Sequence, residues 1–155
     1  MADDALISRV LEIAMEARER GDHPFGALLA IDGEIIAEAG NRVVSDADIT
    51  AHAELMLVRD LEQAGHLSLL GSGVVYASCE PCPMCVGAMF WAGARRVVFA
   101  LSHERLNDLA NVPDADPFGF TISAVEIGGA AQPAMAFDGP HREAEAALAH
   151  EGYWQ

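Results

Sequence analysis

Leu6, Ile7, Val10, Leu11, Ile13, Ala14 and Ala17 recur at three- and four-residue steps, which predicts a helix over residues 3–20 closed by Gly21. Residues 25–31 and 34–39 flank Asp32-Gly33, a strong short hairpin signal, and read as two antiparallel strands. Thr50 is a good N-cap for a run rich in Ala, Leu and Glu over residues 51–64 that ends at Gly65. Residues 73–78 read as a strand. Pro81, with its fixed φ, suits the first position of a helix continuing to Gly93. Residues 95–101 follow, and their Val97-Val98-Phe99-Ala100 run suits a strand buried on both faces. After Leu101 the pattern loosens. Asn107, Asp108, Asn111, Pro113, Asp114, Asp116 and Pro117 mark residues 102–118 as a loop with a short helix at its start. Residues 121–127 read as a strand, 128–133 as a linker, and 142–150 as an Ala- and Glu-rich helix ending at Gly152. Strands alternating with helices at these lengths predict a three-layer α/β/α sandwich on a mixed five-stranded sheet, its later strands parallel.

At 155 residues with 52% hydrophobic content, the chain suits one domain over residues 1–155, with no room for a second module. Its apolar runs fall short of a membrane span, and Met1 to Asp4 opens acidic without a secretory leader. Cytoplasmic residence is the expectation. Charge narrows the partners: nine Arg, no Lys and 24 acidic residues give a net charge of −15, the wrong sign for a protein that must neutralise many phosphates. Nucleic acid is therefore disfavoured as a substrate, and a membrane surface is not expected.

Candidate chemistry sits in two short stretches, His52-Ala53-Glu54 and Cys79-Glu80-Pro81-Cys82-Pro83-Met84-Cys85. One imidazole and two thiolates, from His52, Cys82 and Cys85, make three ligands for a zinc ion. Glu54 is then not needed as a ligand, and the fourth position stays open for one bound water. Helix N-termini carry partial positive charge, which lowers thiolate pKa and favours a metal-bound hydroxide over water. A rival exists: Cys79 completes C-x2-C-x2-C, and three cysteines with His52 could close a structural Cys3His site. Against it, Cys79 lies before the second motif helix, and a closed site leaves Glu54 without a role. Three clustered cysteines fit a metal in a reducing compartment better than disulfides. His23, His66, His103, His141 and His150 lack ligand spacing and read as surface or capping residues.

The pattern H-x-E followed by P-C-x-x-C resembles the zinc deaminases of the cytidine-deaminase-like superfamily. Pro24-Phe25-Gly26-Ala27, Asp32-Gly33, Asn41, Asp48-Ile49-Thr50-Ala51-His52-Ala53-Glu54 and Ser78-Cys79-Glu80-Pro81-Cys82-Pro83-Met84-Cys85 extend that likeness over roughly half the chain. They are most similar to the guanine deaminase and tRNA adenosine deaminase branch, with bacterial guanine deaminases nearest in wording. The resemblance implies one zinc ion per chain on His52, Cys82 and Cys85, with Glu54 as proton shuttle. It implies a small nucleobase substrate, guanine first, with cytosine, a nucleoside, an aminated triazine or tRNA adenosine as alternatives. Asn41 is the implied base contact, and an Asp before a Phe in the loop after residue 101 is a second, with Asp116 nearest and Asp114 its rival. Phe25 and Trp91 are core residues by default that could also touch the base. The resemblance further implies a homodimer in which residues 138–155 can exchange between subunits, laying Tyr153 or Trp154 over a neighbour's site.

Overall fold

The computed structural model describes residues 2–111, 113–115 and 118–154. Helix α1 (Asp4–Arg20) starts where Asp3 accepts the Ala5 and Leu6 N–H groups and stops at Gly21, whose φ of 100° releases the chain from the helix. Strands β1 (Gly26–Ile31) and β2 (Glu34–Gly40) pair antiparallel around Asp32 and Gly33, both at positive φ (51° and 82°), the backbone a tight primed turn demands.

Helix α2 (Ala53–Gln63), strand β3 (Val74–Cys79), helix α3 (Pro83–Ala92) and strand β4 (Arg96–Leu101) follow. Strand β5 (Ala136–Asp138) completes a sheet of order β2-β1-β3-β4-β5. β1 is antiparallel to β2 and β3, whereas β3, β4 and β5 run parallel, as helical crossovers require. Alternation along each strand divides the core. Leu28, Ala30, Tyr76 and Val98 face Leu6, Ile7, Val10 and Ile13 of α1. Ala27, Leu29, Val75 and Val97 face Leu57 of α2 and Val86 and Met89 of α3. Among the described residues no helix is long and apolar enough to cross a membrane.

Four boundaries differ from the sequence reading. α2 begins at Ala53 with His52 as its extended N-cap (φ −65°, ψ 153°), so Thr50 is not the cap. The Thr50 hydroxyl instead donates to Asp48 Oδ1 at 2.6 Å and accepts from Arg59 Nη2 at 2.8 Å. α3 begins at Pro83, not Pro81. A residue before proline is pushed out of the helical region, which leaves Cys82 extended (φ −71°, ψ 166°) as the N-cap. Residues 121–127 are not a strand: Ser123 and Glu126 form a reciprocal capping box that starts helix α5 (Ala124–Ala130). Residues 142–150 form only a short helix α6 (Glu143–Ala147) before a 3-10 turn over Leu148–His150. The short helix expected after Leu101 is present as α4 (His103–Ala110).

Candidate active site

The connections that follow β2 and β3 bring two helix N-termini together on one face of the sheet. β1 opens at that same end, because it is antiparallel to β3: Gly26 N–H donates to Ser78 Oγ at 3.0 Å, so Phe25 is held beside the end of β3. Asn41 N–H donates to Phe25 O at 3.0 Å, and Arg20 Nη2 donates to Asn41 O at 2.9 Å.

His52, the N-cap of α2, and Cys82 and Cys85, the N-cap and third residue of α3, meet here. His52 Nδ1 lies 3.6 Å from Cys82 Sγ and 3.4 Å from Cys85 Sγ, and the two sulfurs are 3.6 Å apart. A tetrahedral zinc with Zn–S about 2.3 Å and Zn–N about 2.05 Å sets such ligand atoms about 3.5 to 3.8 Å apart. The donor set and its spacing fit a zinc ion. Cys79 is not in this group: it ends β3, 3% exposed, and burial pushes its thiol well above its ordinary range. A closed Cys3His site is not formed.

Electrostatics in the cluster are strongly perturbed. A hydrogen bond from Cys85 and the nearby His52 outweigh burial and hold the Cys82 thiol down at about 4. Cys85, paired with that thiolate and buried, is pushed up. Glu54, in the first turn of α2 and 6% exposed, is pushed up to about 7 by burial, with the Cys82 charge adding to the effect. A cation among these ligands opposes that shift and favours the carboxylate.

A cavity of about 110 Å³ opens on the cluster, lined by Phe25, His52, Glu54, Cys79, Glu80, Cys82 and Leu106. Of the residues expected to contact a substrate, Phe25 is in this wall. Asn41 is 1% exposed, and its Oδ1 accepts the Val43 N–H at 2.9 Å. Trp91 does not line the cavity: it stands 85% exposed late in α3, where helical rise carries it away from Cys85, and its ring meets Phe90 edge-on. Asp116 lies outside the described residues.

The C-terminal residues pack on their own chain. Arg18 Nη1 donates to the Ala149 and Glu151 carbonyls at 2.9 and 2.7 Å. Tyr153 OH donates weakly to Asp22 O at 3.5 Å. His150 is no surface residue: it is 2% exposed, accepts Trp154 Nε1–H at Nδ1 (3.1 Å) and meets the Phe25 ring edge-on at 5.2 Å. His150 and Trp154 thus buttress a cavity wall from behind. Sequence reading missed this, and it missed Glu80 and Leu106 as lining residues.

The model of the cytidine and deoxycytidylate deaminase zinc-binding region matches residues 1–101. A probable cytosine deaminase of Schizosaccharomyces pombe is 38% identical over 160 residues, covering 98% of this chain and 92% of that protein. A guanine deaminase of Bacillus subtilis is 39% identical over 104 residues, 66% of this chain and 67% of that one. The solved structure of a tRNA:A34 deaminase superposes with a TM-score of 0.73 at 30% identity, covering 95% of this chain and 99% of the other. A matching domain model, relatives aligned along most of the chain and a zinc-compatible His-Cys-Cys cluster converge: this protein belongs to the cytidine-deaminase-like family of zinc-dependent hydrolytic deaminases.

Proposed function

We propose that the chain deaminates a small free nucleobase, guanine first, releasing ammonia and leaving the oxo base, here xanthine. The observation that carries this is the size of the cavity beside Glu54. About 110 Å³ is well below the several hundred Å³ typical of drug-sized sites and suits a single heterocycle. His52, Cys82 and Cys85 would hold a zinc ion, which would supply Lewis acidity and make a water more acidic. Glu54 takes a proton from the attacking water as the water oxygen bonds to the amine-bearing ring carbon. The same carboxyl gives that proton to the adjacent ring nitrogen, takes a second from the hydroxyl on the tetrahedral carbon, and passes it to the amine as the C–N bond breaks and the C=O forms. Phe25 offers an apolar face to the ring, and Asn41, whose Oδ1 accepts the Val43 N–H, is a further base contact in this proposal. Asp116 and Tyr153 belong to this proposal as further contacts.

Cytosine is the second reading, favoured by the likeness to a probable cytosine deaminase along 98% of the chain. A tRNA substrate fits less well. A net charge of −15 with no lysine opposes phosphate binding, although a Bacillus subtilis relative named a tRNA-specific adenosine deaminase is 36% identical over 97 residues. Ammonia release measured on guanine, cytosine, adenine, cytidine and a tRNA separates the readings: guanine should lead. Turnover of tRNA alone, weakening steeply with salt, would replace this proposal.

The proposed setting is cytoplasmic, consistent with three free cysteines. The chain is taken as one deaminase domain that pairs with a second copy through the apolar face of α3 and α5. Met84, Trp91, Ile122 and Val125 are exposed there beside a groove of about 500 Å³. An exchange of residues 138–155 within that dimer would keep the seat on α1, using the neighbour's tail. Light scattering should give twice the chain mass, and Trp91→Glu should halve it.

A further inference from the structure

Glu80 stands two residues before a metal ligand and is 9% exposed, yet its carboxylate is taken up by main chain from two other elements. Oε2 accepts the His103 N–H at 2.8 Å, and Oε1 accepts the Ala124 N–H at 2.9 Å. These are the first residues of α4 and α5. In both helices a serine one position earlier caps a later amide: Ser102 Oγ accepts from Arg105 N–H, and Ser123 Oγ from Glu126 N–H. The first amide of each helix is left over, and the single Glu80 carboxylate takes both. An anion at two helix N-termini is favourable twice, and a buried N–H without an acceptor is costly. Glu80 is itself fixed, since its own N–H donates to Leu101 O at 2.7 Å.

This clasp bears on the cavity. Leu106, one turn into α4, forms the wall beside the cluster, and its position follows from where α4 starts. The start of α4 is in turn tied through Glu80 to the strand end and loop that carry Cys82. We infer that Glu80 is a positioning residue for the bound base: it sets the separation of the Leu106 wall from the cluster, acting through α4 and α5. The inference rests on the reading of this cavity as the base site. Removing the clasp should loosen substrate binding more than it slows chemistry, because Glu54 and the metal ligands lie on α2 and α3.

The test uses the zinc-loaded full chain with Glu80→Gln and Glu80→Ala, assayed for zinc content, ammonia release from guanine, and backbone amide exchange at His103 and Ala124. Zinc should stay near one per chain. In Glu80→Ala both amides should exchange at least about tenfold faster, and KM should rise about tenfold with kcat within roughly threefold. Glu80→Gln keeps one carbonyl acceptor, so it should release one amide preferentially and show a smaller KM change. Loss of zinc with collapsed kcat at unchanged KM would overturn the inference, as would unchanged KM and exchange. If Glu80→Ala does not fold, Glu80→Gln and the unaltered chain decide: in the latter both amides must be protected, and exchange of either at the free rate sinks the clasp. A wild-type chain that releases no ammonia from guanine counts against guanine alone, since KM can be read with cytosine and the exchange data stand apart from turnover.

Discussion

His52 Nδ1 stands 3.4 Å from Cys85 Sγ across 33 residues of sequence, each atom carried on the first turn or cap of a different helix. The contact is made by packing α2 against α3 on one face of the sheet, so the metal site depends on that packing and also reinforces it. Chelating the zinc should therefore lower the melting temperature without abolishing the fold, because Cys85 also belongs to the apolar core. A ligand present at about a thousandfold over its Kd contributes about 4 kcal/mol, roughly 10 °C for a chain of this size. Cys82→Ala and Cys85→Ala should melt like the chelated protein and hold less than one zinc per chain. Calorimetry with metal analysis checks this, and unchanged melting on chelation would contradict it.

Cys79 is buried at the end of β3 but stands apart from the three ligand atoms. Cys79→Ala should retain one zinc per chain and cost about 1 kcal/mol, the loss of one small buried group. Metal analysis and urea denaturation test this. A variant that loses its zinc would restore the closed Cys3His reading.

His150 sets an acid limit on the tail. Burial, reinforced by the Arg18 charge, lowers its pKa to about 4 from 6.5. A histidine depressed in the folded state contributes stability that is complete above its unfolded pKa, near 6.5, and is lost as pH falls toward 4. Charging it also puts a proton on Nδ1, the acceptor for Trp154 Nε1–H. In a Trp91→Phe background, Trp154 fluorescence should change between pH 6.5 and 4, before far-ultraviolet circular dichroism does. His150→Gln should remove that early change, and its persistence would exclude His150 as the cause.

Gly26 lies under α1 so closely that an added Cβ would come 2.8 Å from both Ile13 Cγ2 and Val10 O. Gly26→Ala must push α1 outward or shift the start of β1. It should cost about 2 kcal/mol, within the range for overpacked cores, and should raise KM by moving the neighbouring Phe25. Denaturation and steady-state kinetics measure both, and wild-type values for each would show that Gly26 marks only a tolerated small residue.

Elements whose instructions are local were legible in the sequence. The α1 stripe, its Gly21 stop and the Asp32-Gly33 turn each carry their own signal, and each appears where expected. The later chain misleads because stronger local chemistry competes. Ile122, Val125 and Ile127 suggest a strand, but the Ser123–Glu126 box starts a helix, and the true edge strand spans only Ala136–Asp138, too short for periodicity to register. Pro81 looks like a helix start only until Pro83 is weighed, since Cys82 before it cannot be helical. The His-Cys-Cys cluster was readable because its spacing is the chemistry. Glu80 was not: its partners lie 23 and 44 residues away and are backbone amides, which no side-chain pattern marks.

Glu54, buried beside the metal ligands, is proposed to move the protons of a deamination within a base-sized cavity. Ammonia release from guanine by the zinc-loaded chain and by Glu54→Gln, with metal content measured on the same samples, tests it most directly. Glu54→Gln should keep its zinc and fall by about 10² to 10⁴ in kcat, the range for losing a general acid-base group. A Glu54→Gln protein that releases ammonia at the wild-type rate would contradict the account.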